Sequence, residues 1–115
     1  MIIRNSERNV KIREAMREGP GSVIITDVCS RQDLYEKGRL YSSMLLKQNC
    51  GVGYHVHENE KEIFLITRGK AIYNDNGTEQ EVETGDVMIC EDGQGHAITN
   101  YDSEDCEVMA LIILK

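Results

Sequence analysis

The sequence predicts an all-β domain, and three observations support that prediction. Apolar residues occur in short alternating or continuous runs, not with the period of about 3.6 residues that marks a helix. Turn residues separate these runs at intervals of about ten residues, which is the spacing of a β-sandwich or barrel. The tetrapeptide Asn74-Asp75-Asn76-Gly77 is a strong hairpin signal, because these residue types tolerate the left-handed conformation of a tight turn.

The N-terminal segment allows two interpretations. Within Ser6 to Glu18, the spacing of Ile12 and Met16 fits one helical face, whereas Val10 and Ile12 would alternate on a strand. The sequence leaves both open. Gly19-Pro20-Gly21 ends the segment, since proline lacks a backbone donor and glycine admits positive φ.

The remaining elements follow in order along the chain. Ser30, with Asp33 three residues later, fits the N-cap of one helical turn that Gly38 would close. Gln48 to Gly53 is predicted to be a turn. Strands are predicted at Ser22 to Cys29, Arg39 to Lys47, Tyr54 to Glu58, Glu62 to Arg68, Lys70 to Asn74, Thr78 to Glu83, Val87 to Cys90, His96 to Asn100 and Glu107 to Leu114.

Length and composition limit the classes of function. The 115 residues suit one domain over residues 1–115. A net charge of −7 repels a phosphate backbone, so nucleic acid is not an expected partner. The apolar runs are far shorter than the roughly 20 residues of a membrane span, and no leader pattern is visible, so the expected location is the cytoplasm. The four cysteines lack C-x-x-C spacing and are expected to be free thiols.

Basic residues gather near the N-terminus of this acidic chain. Glutamates are interleaved with them, which favours a solvated face of mixed charge. The basic residues are Arg4, Arg8, Lys11, Arg13 and Arg17, and the glutamates are Glu7, Glu14 and Glu18.

The three histidines of the chain stand at informative places. His55 and His57 are two residues apart, so a strand would place both imidazoles on one face. Glu62 follows after a short polar turn, on the strand that returns beside the pair. His96 begins a later strand. Three imidazoles and one carboxylate suit a divalent transition metal, and we predict that His55, His57, Glu62 and His96 bind one such ion.

These residues resemble the cupin superfamily. Its first motif, H-x-H followed by E and G, is similar to His55-Val56-His57, Glu62 and Gly69, and its second aligns with Gly85, Gly93, His96 and Asn100; the motifs span residues 51–100. The resemblance implies a jelly-roll β-barrel with the metal inside, here with an N-terminal strand extension. The metal would be zinc, nickel, manganese, iron or copper.

Strand parity suggests which other residues line the site. Phe64 and Ile66 share a face with Glu62, and Ile98 and Asn100 share a face with His96. Asn100 is expected to bond backbone near its strand end, and the three motif glycines are expected in turns. Candidate acid or base groups are few: Glu60, Cys90, metal-bound water and a tyrosine among Tyr41, Tyr54, Tyr73 and Tyr101. Cys90 and the tyrosines are expected mainly to pack.

Two functions fit such a site. The first is a metal-dependent enzyme acting on a small oxygen-rich acid or sugar-like metabolite; the alternative is a module that binds or senses a small molecule without turnover. The sequence favours the enzyme only slightly over the binding module. A homodimer is also expected, because the resemblance implies one and because N-terminal strands such as Ser22 to Cys29 would extend the sheet of a second copy.

Overall fold

In the computed structural model, which describes residues 1–115, the chain forms ten strands and three short helical turns. The turns are single 3₁₀ turns at Asn5–Glu7, Met16–Glu18 and Gln32–Leu34, and no helix is long or apolar enough to cross a membrane. The strands are β1 (Val10–Glu14), β2 (Ser22–Asp27), β3 (Gly38–Leu46), β4 (Cys50–Val56), β5 (Glu60–Arg68), β6 (Lys70–Asp75), β7 (Thr78–Glu83), β8 (Val87–Cys90), β9 (Gly95–Asn100) and β10 (Cys106–Leu114).

The strands form two antiparallel sheets. One has six strands in the order β1-β2-β3-β10-β5-β8, and the other has four in the order β4-β9-β6-β7. This confirms the predicted all-β jelly roll, with one difference: the sheets remain separate and do not close into a continuous barrel.

The N-terminal segment is a strand extension of the larger sheet. Val10 pairs with Thr26 and Glu14 with Ser22, so the strand interpretation is correct and the helical one is wrong. β2 then pairs with β3 along its other edge, and therefore has no free edge to offer a second copy. The edge strands of this sheet are β1 at one end and β8 at the other.

Alternating residues from both sheets build the core. Val23 and Ile25 on β2 face inward, as do Met44 and Leu46 on β3, and all four are at most 2% exposed. The smaller sheet contributes inward-facing apolar residues to the same cluster, so the core fills the space between the sheets. The buried apolar residues of this cluster also include Val52, Phe64, Ile66, Ala71, Tyr73, Met88, Ile98, Cys106, Val108 and Ala110.

Local signals explain most turns. Asp75 pairs with Thr78, so Asn76 and Gly77, both at positive φ, form the predicted two-residue hairpin. Ser30 lies one residue before the N-cap of the third 3₁₀ turn, which is Arg31, and its hydroxyl accepts a hydrogen bond from the backbone N–H of Asp33 at 3.1 Å. Gly38 does not close that turn: Tyr35, at φ +55°, ends it, and Gly38 begins β3.

The segment predicted as a turn at Gln48 to Gly53 is instead mostly strand. β4 begins at Cys50, and Val52 pairs with Ile98 on β9. Three residues later His55 pairs with His96, only two residues before Ile98, so β4 carries a one-residue bulge. The bulge sets His55 directly opposite His96.

Candidate metal centre

The four predicted ligands meet between the two sheets. His55 lies on β4, His57 directly after β4, and His96 on β9, so the smaller sheet supplies all three imidazoles. Glu62 on β5 supplies the carboxylate from the larger sheet. His57, Glu62 and His96 are at most 5% exposed, and the side chain of His55 is 10% exposed.

The ligand atoms converge on a common point. The Nε2 atom of His57 lies 3.1 Å from that of His55 and 3.0 Å from that of His96. Oε1 of Glu62 lies 3.0 Å from the Nε2 atoms of both His57 and His96. One ligand atom from each residue falls within 4.8 Å of all the others, so the cluster could hold a metal ion. Nitrogen and oxygen donors of this kind fit a divalent transition metal.

Outer contacts orient each imidazole. Nδ1 of His55 lies 2.7 Å from the carbonyl oxygen of Gly53, an acceptor only, and so Nδ1 carries the proton. The Nε2 atom of His55 is then left with a free lone pair directed at the cluster. This division of roles between the ring nitrogens is the one that metal-ligating histidines need.

The other two imidazoles are held by side chains. Nδ1 of His57 lies 2.5 Å from Oε2 of Glu60, and Nδ1 of His96 lies 2.9 Å from the hydroxyl of Tyr73. Tyr73 is 3% exposed, so this hydrogen bond is shielded from bulk water. Each histidine therefore has an Nδ1 partner outside the cluster and an Nε2 atom inside it.

Glu60 is itself fixed by a guanidinium group. Nε and Nη2 of Arg39 donate hydrogen bonds to its two carboxylate oxygens, both at 2.7 Å. These bonds, together with that from His57, hold the pKa of Glu60 at about 2. Near neutral pH Glu60 is thus an ionised acceptor for His57 and not the general acid that the sequence left open.

The titration properties of the cluster follow from its burial and pairing. Desolvation lowers the pKa of His55 to about 4, so this imidazole is neutral near pH 7. Hydrogen bonds to the Glu62 and Glu60 carboxylates raise the pKa of His57 above its usual value. Burial alone would raise the pKa of Glu62, but its hydrogen bonds with His57 and His96 outweigh that effect and lower it. Glu62 is therefore present as a carboxylate.

A cavity of about 220 Å³ opens from the cluster. His55, His57 and Glu62 form part of its wall, and apolar side chains form another part. The apolar residues are Met16, Ile25, Leu40, Met44, Val52, Phe64 and Ile112. The space suits a small molecule close to the predicted metal position.

The cavity also shows what the sequence interpretation missed. Lys11, Arg13, Arg17 and Arg39 line it, so three of the N-terminal basic residues are exposed, as a solvated face predicts, but also border the cavity. The alternation of β1 was the available signal, because it places Lys11 and Arg13 on one side and Ile12 on the other. The interleaved glutamates concealed that pattern.

The predicted lining residues divide into two groups. Phe64 lines the cavity and stacks on His96, with ring centroids 4.9 Å apart. Ile66, Ile98 and Asn100 face inward as expected but belong to the core beyond the cavity. Asn100 has the structural role that was predicted: Nδ2 donates to the carbonyl oxygens of Leu46 and Glu104 at 2.9 and 2.8 Å.

The remaining candidates for acid–base chemistry lie away from the cavity. Cys90 is 1% exposed, its thiol donates to the carbonyl of Gln94, and burial raises its pKa to about 11. Tyr54 and Tyr101 are 48% and 61% exposed. Tyr73 is the tyrosine with a role at the site, as the partner of His96. All four cysteines are free, as predicted.

Two facing antiparallel sheets with three imidazoles and a carboxylate converging between them define the class of protein: a jelly roll with an internal cluster of metal-ligand type. The chain belongs to the cupin family, since the family model described as "Cupin domain" matches residues 42–112. The predicted resemblance is thereby confirmed.

Individual relatives support this assignment. The oxalate-binding protein of Thermotoga maritima is 36% identical over 114 residues, covering 99% of this chain and 94% of that protein. A solved structure from the same organism, described as a predicted oxalate decarboxylase, superposes with a TM-score of 0.95 at 36% identity and full coverage of both chains. The polyketide cyclase RemF of Streptomyces resistomycificus has a TM-score of 0.77 at 14% identity, over 100% of this chain and 80% of that one, which shows a shared fold.

Proposed function

We propose that the protein holds one divalent transition metal ion through His55, His57, Glu62 and His96, and that it uses this centre to bind a small oxygen-rich acid. The proposal rests on the convergence of the Nε2 atoms of three histidines whose Nδ1 atoms each have a hydrogen-bond partner outside the cluster. A bound metal would supply a Lewis acid for carboxylate oxygens. Zinc, nickel, manganese, iron and copper all suit the donor set, with nickel, copper and zinc binding most tightly in simple competition.

The ligand class rests on the cavity and on the relatives. A volume of about 220 Å³ admits only a small molecule, and the cationic side chains of its wall favour an acid. The relative from Thermotoga maritima, which is named for binding oxalate, covers nearly the whole chain. We therefore propose a small carboxylic acid of the oxalate type as the ligand.

Binding without turnover is the function that the geometry supports best. Among the cavity-lining residues, the titratable groups are three of the predicted ligands, His55, His57 and Glu62, and the four cations. Glu60 is ionised and paired, and Cys90 is buried elsewhere. The cavity wall holds no carboxylate, thiol, phenol or imidazole other than these predicted ligands.

An enzyme is the second candidate. The solved relative described as a predicted oxalate decarboxylase favours it, and so does a metal centre with only four protein ligands. Turnover would then depend on the metal, because the cavity wall offers no carboxylate, thiol, phenol or imidazole besides the predicted ligands. Metal content, acid affinity and product formation measured on the same samples from pH 5 to pH 9 separate the candidates. Binding without product throughout that range rejects the enzyme.

The metal proposal has its own test. Zinc titration of wild-type protein should give one tight site per chain, and His57→Ala combined with His96→Ala should abolish it. Glu62→Gln should weaken it, whereas Glu79→Gln, an exposed glutamate on β7, serves as the matched control and should not. A tight stoichiometric site that survives the double histidine substitution would refute the assignment.

We also propose that the protein forms a homodimer, through a face different from the one that the sequence suggested. The outer face of the larger sheet is apolar: Val87 and Leu65 stand in one cross-strand row with Met109, and Ile89 and Ile63 in the next with Leu111. Val87 and Ile89 are 57% and 47% exposed. A second copy is the occupant we assign, because two such faces are self-complementary and these rows carry no charge that would repel an identical partner.

A further inference from the structure

We propose that Lys11, Arg13 and Arg17 form a cationic rim that compensates a second negative charge on the ligand, so that the site selects dicarboxylates over monocarboxylates of the same size. The inference rests on the proposed function, since it concerns the charge of the acid that the metal centre binds.

The rim is an exception to the charge of the whole molecule. The chain carries a net charge of −7, yet four cations and a single carboxylate, Glu62, line the cavity. One of the four, Arg39, is already paired with Glu60. Lys11, Arg13 and Arg17 make no ion pair and no side-chain hydrogen bond within the chain. Their charges are therefore available to a ligand in the cavity.

The backbone fixes the rim beside the metal centre. A Cβ atom on Gly53 would overlap the carbonyl oxygen of Arg17, and one on Gly19 would lie 2.5 Å from the backbone nitrogen of Gly53. Glycine at both positions lets the two backbones approach this closely. Gly53 is also the residue whose carbonyl accepts the proton of His55. Gly53 therefore contacts both Arg17 of the rim and His55, a predicted metal ligand.

The same segment holds an unusual backbone conformation. Ala15, Arg17 and Glu18 all have positive φ, at +48°, +53° and +63°, although none is glycine. Such conformations cost free energy and persist where the surrounding structure enforces them, often beside a ligand site. The strained turn presents Arg17 to the cavity, while the alternation of β1 presents Lys11 and Arg13.

An isosteric pair of probes tests the charge selection. Oxalate and its monoamide, oxamate, have nearly the same size but differ by one carboxylate. Zinc-loaded wild-type protein should bind oxalate the more tightly, as measured by calorimetry, with the bound zinc quantified after each titration. In Lys11→Gln/Arg13→Gln/Arg17→Gln, oxalate affinity should fall at least tenfold and oxamate affinity less than threefold, with zinc content unchanged.

Two further variants act as controls. Arg4→Gln/Lys37→Gln/Lys70→Gln makes the same change in net charge away from this cavity and should alter oxalate affinity less than threefold. Lys11→Arg/Arg13→Lys/Arg17→Lys keeps the rim charges and should keep the preference for oxalate. The preference should also shrink in 0.5 M salt, where charges are screened.

Each alternative result has a distinct meaning. Equal losses in the rim and control variants would show a general charge effect and overturn the rim. Equal losses for oxalate and oxamate in the rim variant would show that these residues shape the site without selecting charge, which also overturns it; in both cases metal-dependent acid binding stands. Failure of zinc-loaded wild-type protein to bind either acid would refute the proposed function, and the rim with it.

Discussion

Replacing Tyr73 by phenylalanine tests how the fold prepares His96 for its predicted role. The substitution removes one oxygen atom and leaves the ring, which packs edge-on against Phe64 at a centroid distance of 6.2 Å. His96 is 1% exposed, and its Nδ1 atom has no other partner than the Tyr73 hydroxyl at 2.9 Å. The variant therefore isolates a single buried hydrogen bond.

The expected cost follows from leaving a buried polar atom without a partner. Such losses are about 1–3 kcal/mol in the free energy of unfolding, which urea denaturation of the metal-free protein would measure. Zinc affinity should also fall by about 10- to 100-fold, because the hydroxyl no longer fixes the ring orientation and the proton on Nδ1. The exposed Tyr101 provides the control: Tyr101→Phe should change neither quantity.

The result that would refute this reasoning is specific. If Tyr73→Phe lies within about 0.5 kcal/mol of wild type, as a neutral surface substitution does, and binds zinc with unchanged affinity, the hydroxyl does not hold His96. Nitrogen-15 NMR of the imidazoles provides a further check, since the proton of His96 should lie on Nδ1 in the zinc-loaded wild-type protein.

Three other predictions follow from the contacts of the site and the sheets. Arg39→Leu should lower zinc affinity about tenfold by freeing the Glu60 carboxylate that orients His57, as measured by competition titration. The free energy of unfolding of the metal-free protein should fall as pH drops from about 4.5 towards 2, because the pKa of Glu60 is depressed in the folded state and its stabilisation is lost on protonation. Glu60→Gln should flatten this part of the pH profile, and the difference from wild type should be at most about 2 kcal/mol after solvent screening. Light scattering should give twice the chain mass of 13.0 kDa, and Leu65→Lys with Val87→Lys should give the monomer, whereas a monomeric wild type at micromolar concentration would reject the dimer.

The sequence was sufficient to predict the features that depend on residues close together in the chain. The hairpin at Asn76 and Gly77 and the hydrogen bond from Asp33 to Ser30 depend on neighbouring residues, so local residue types were sufficient. The metal cluster was predictable for a different reason: the resemblance supplied the long-range pairing of His55 with His96 that spacing alone does not give.

The errors have physical causes. The bulge in β4 lies where Gly53 closely approaches Arg17, a contact between segments far apart in sequence, whereas the glycines alone suggested a turn. The outer partners of the imidazoles were missed for the same reason. Tyr73 reaches His96 across neighbouring strands, and Arg39 reaches Glu60 across 21 residues. No periodicity within one strand reports such contacts.

The contacts that prepare the histidines also limit what chemistry the protein itself can supply. Glu60 and Tyr73 would be the natural proton donors of such a site, but each is hydrogen-bonded to the Nδ1 atom of a histidine. The ionised carboxylate of Glu60 also forms an ion pair with Arg39. The charged groups that remain around the cavity are cations, whose charge favours an acid as the ligand. Under the proposed function, the fixed imidazoles would hold the metal and the cationic wall would supply the charge that attracts the acid, so any turnover would have to depend on the metal.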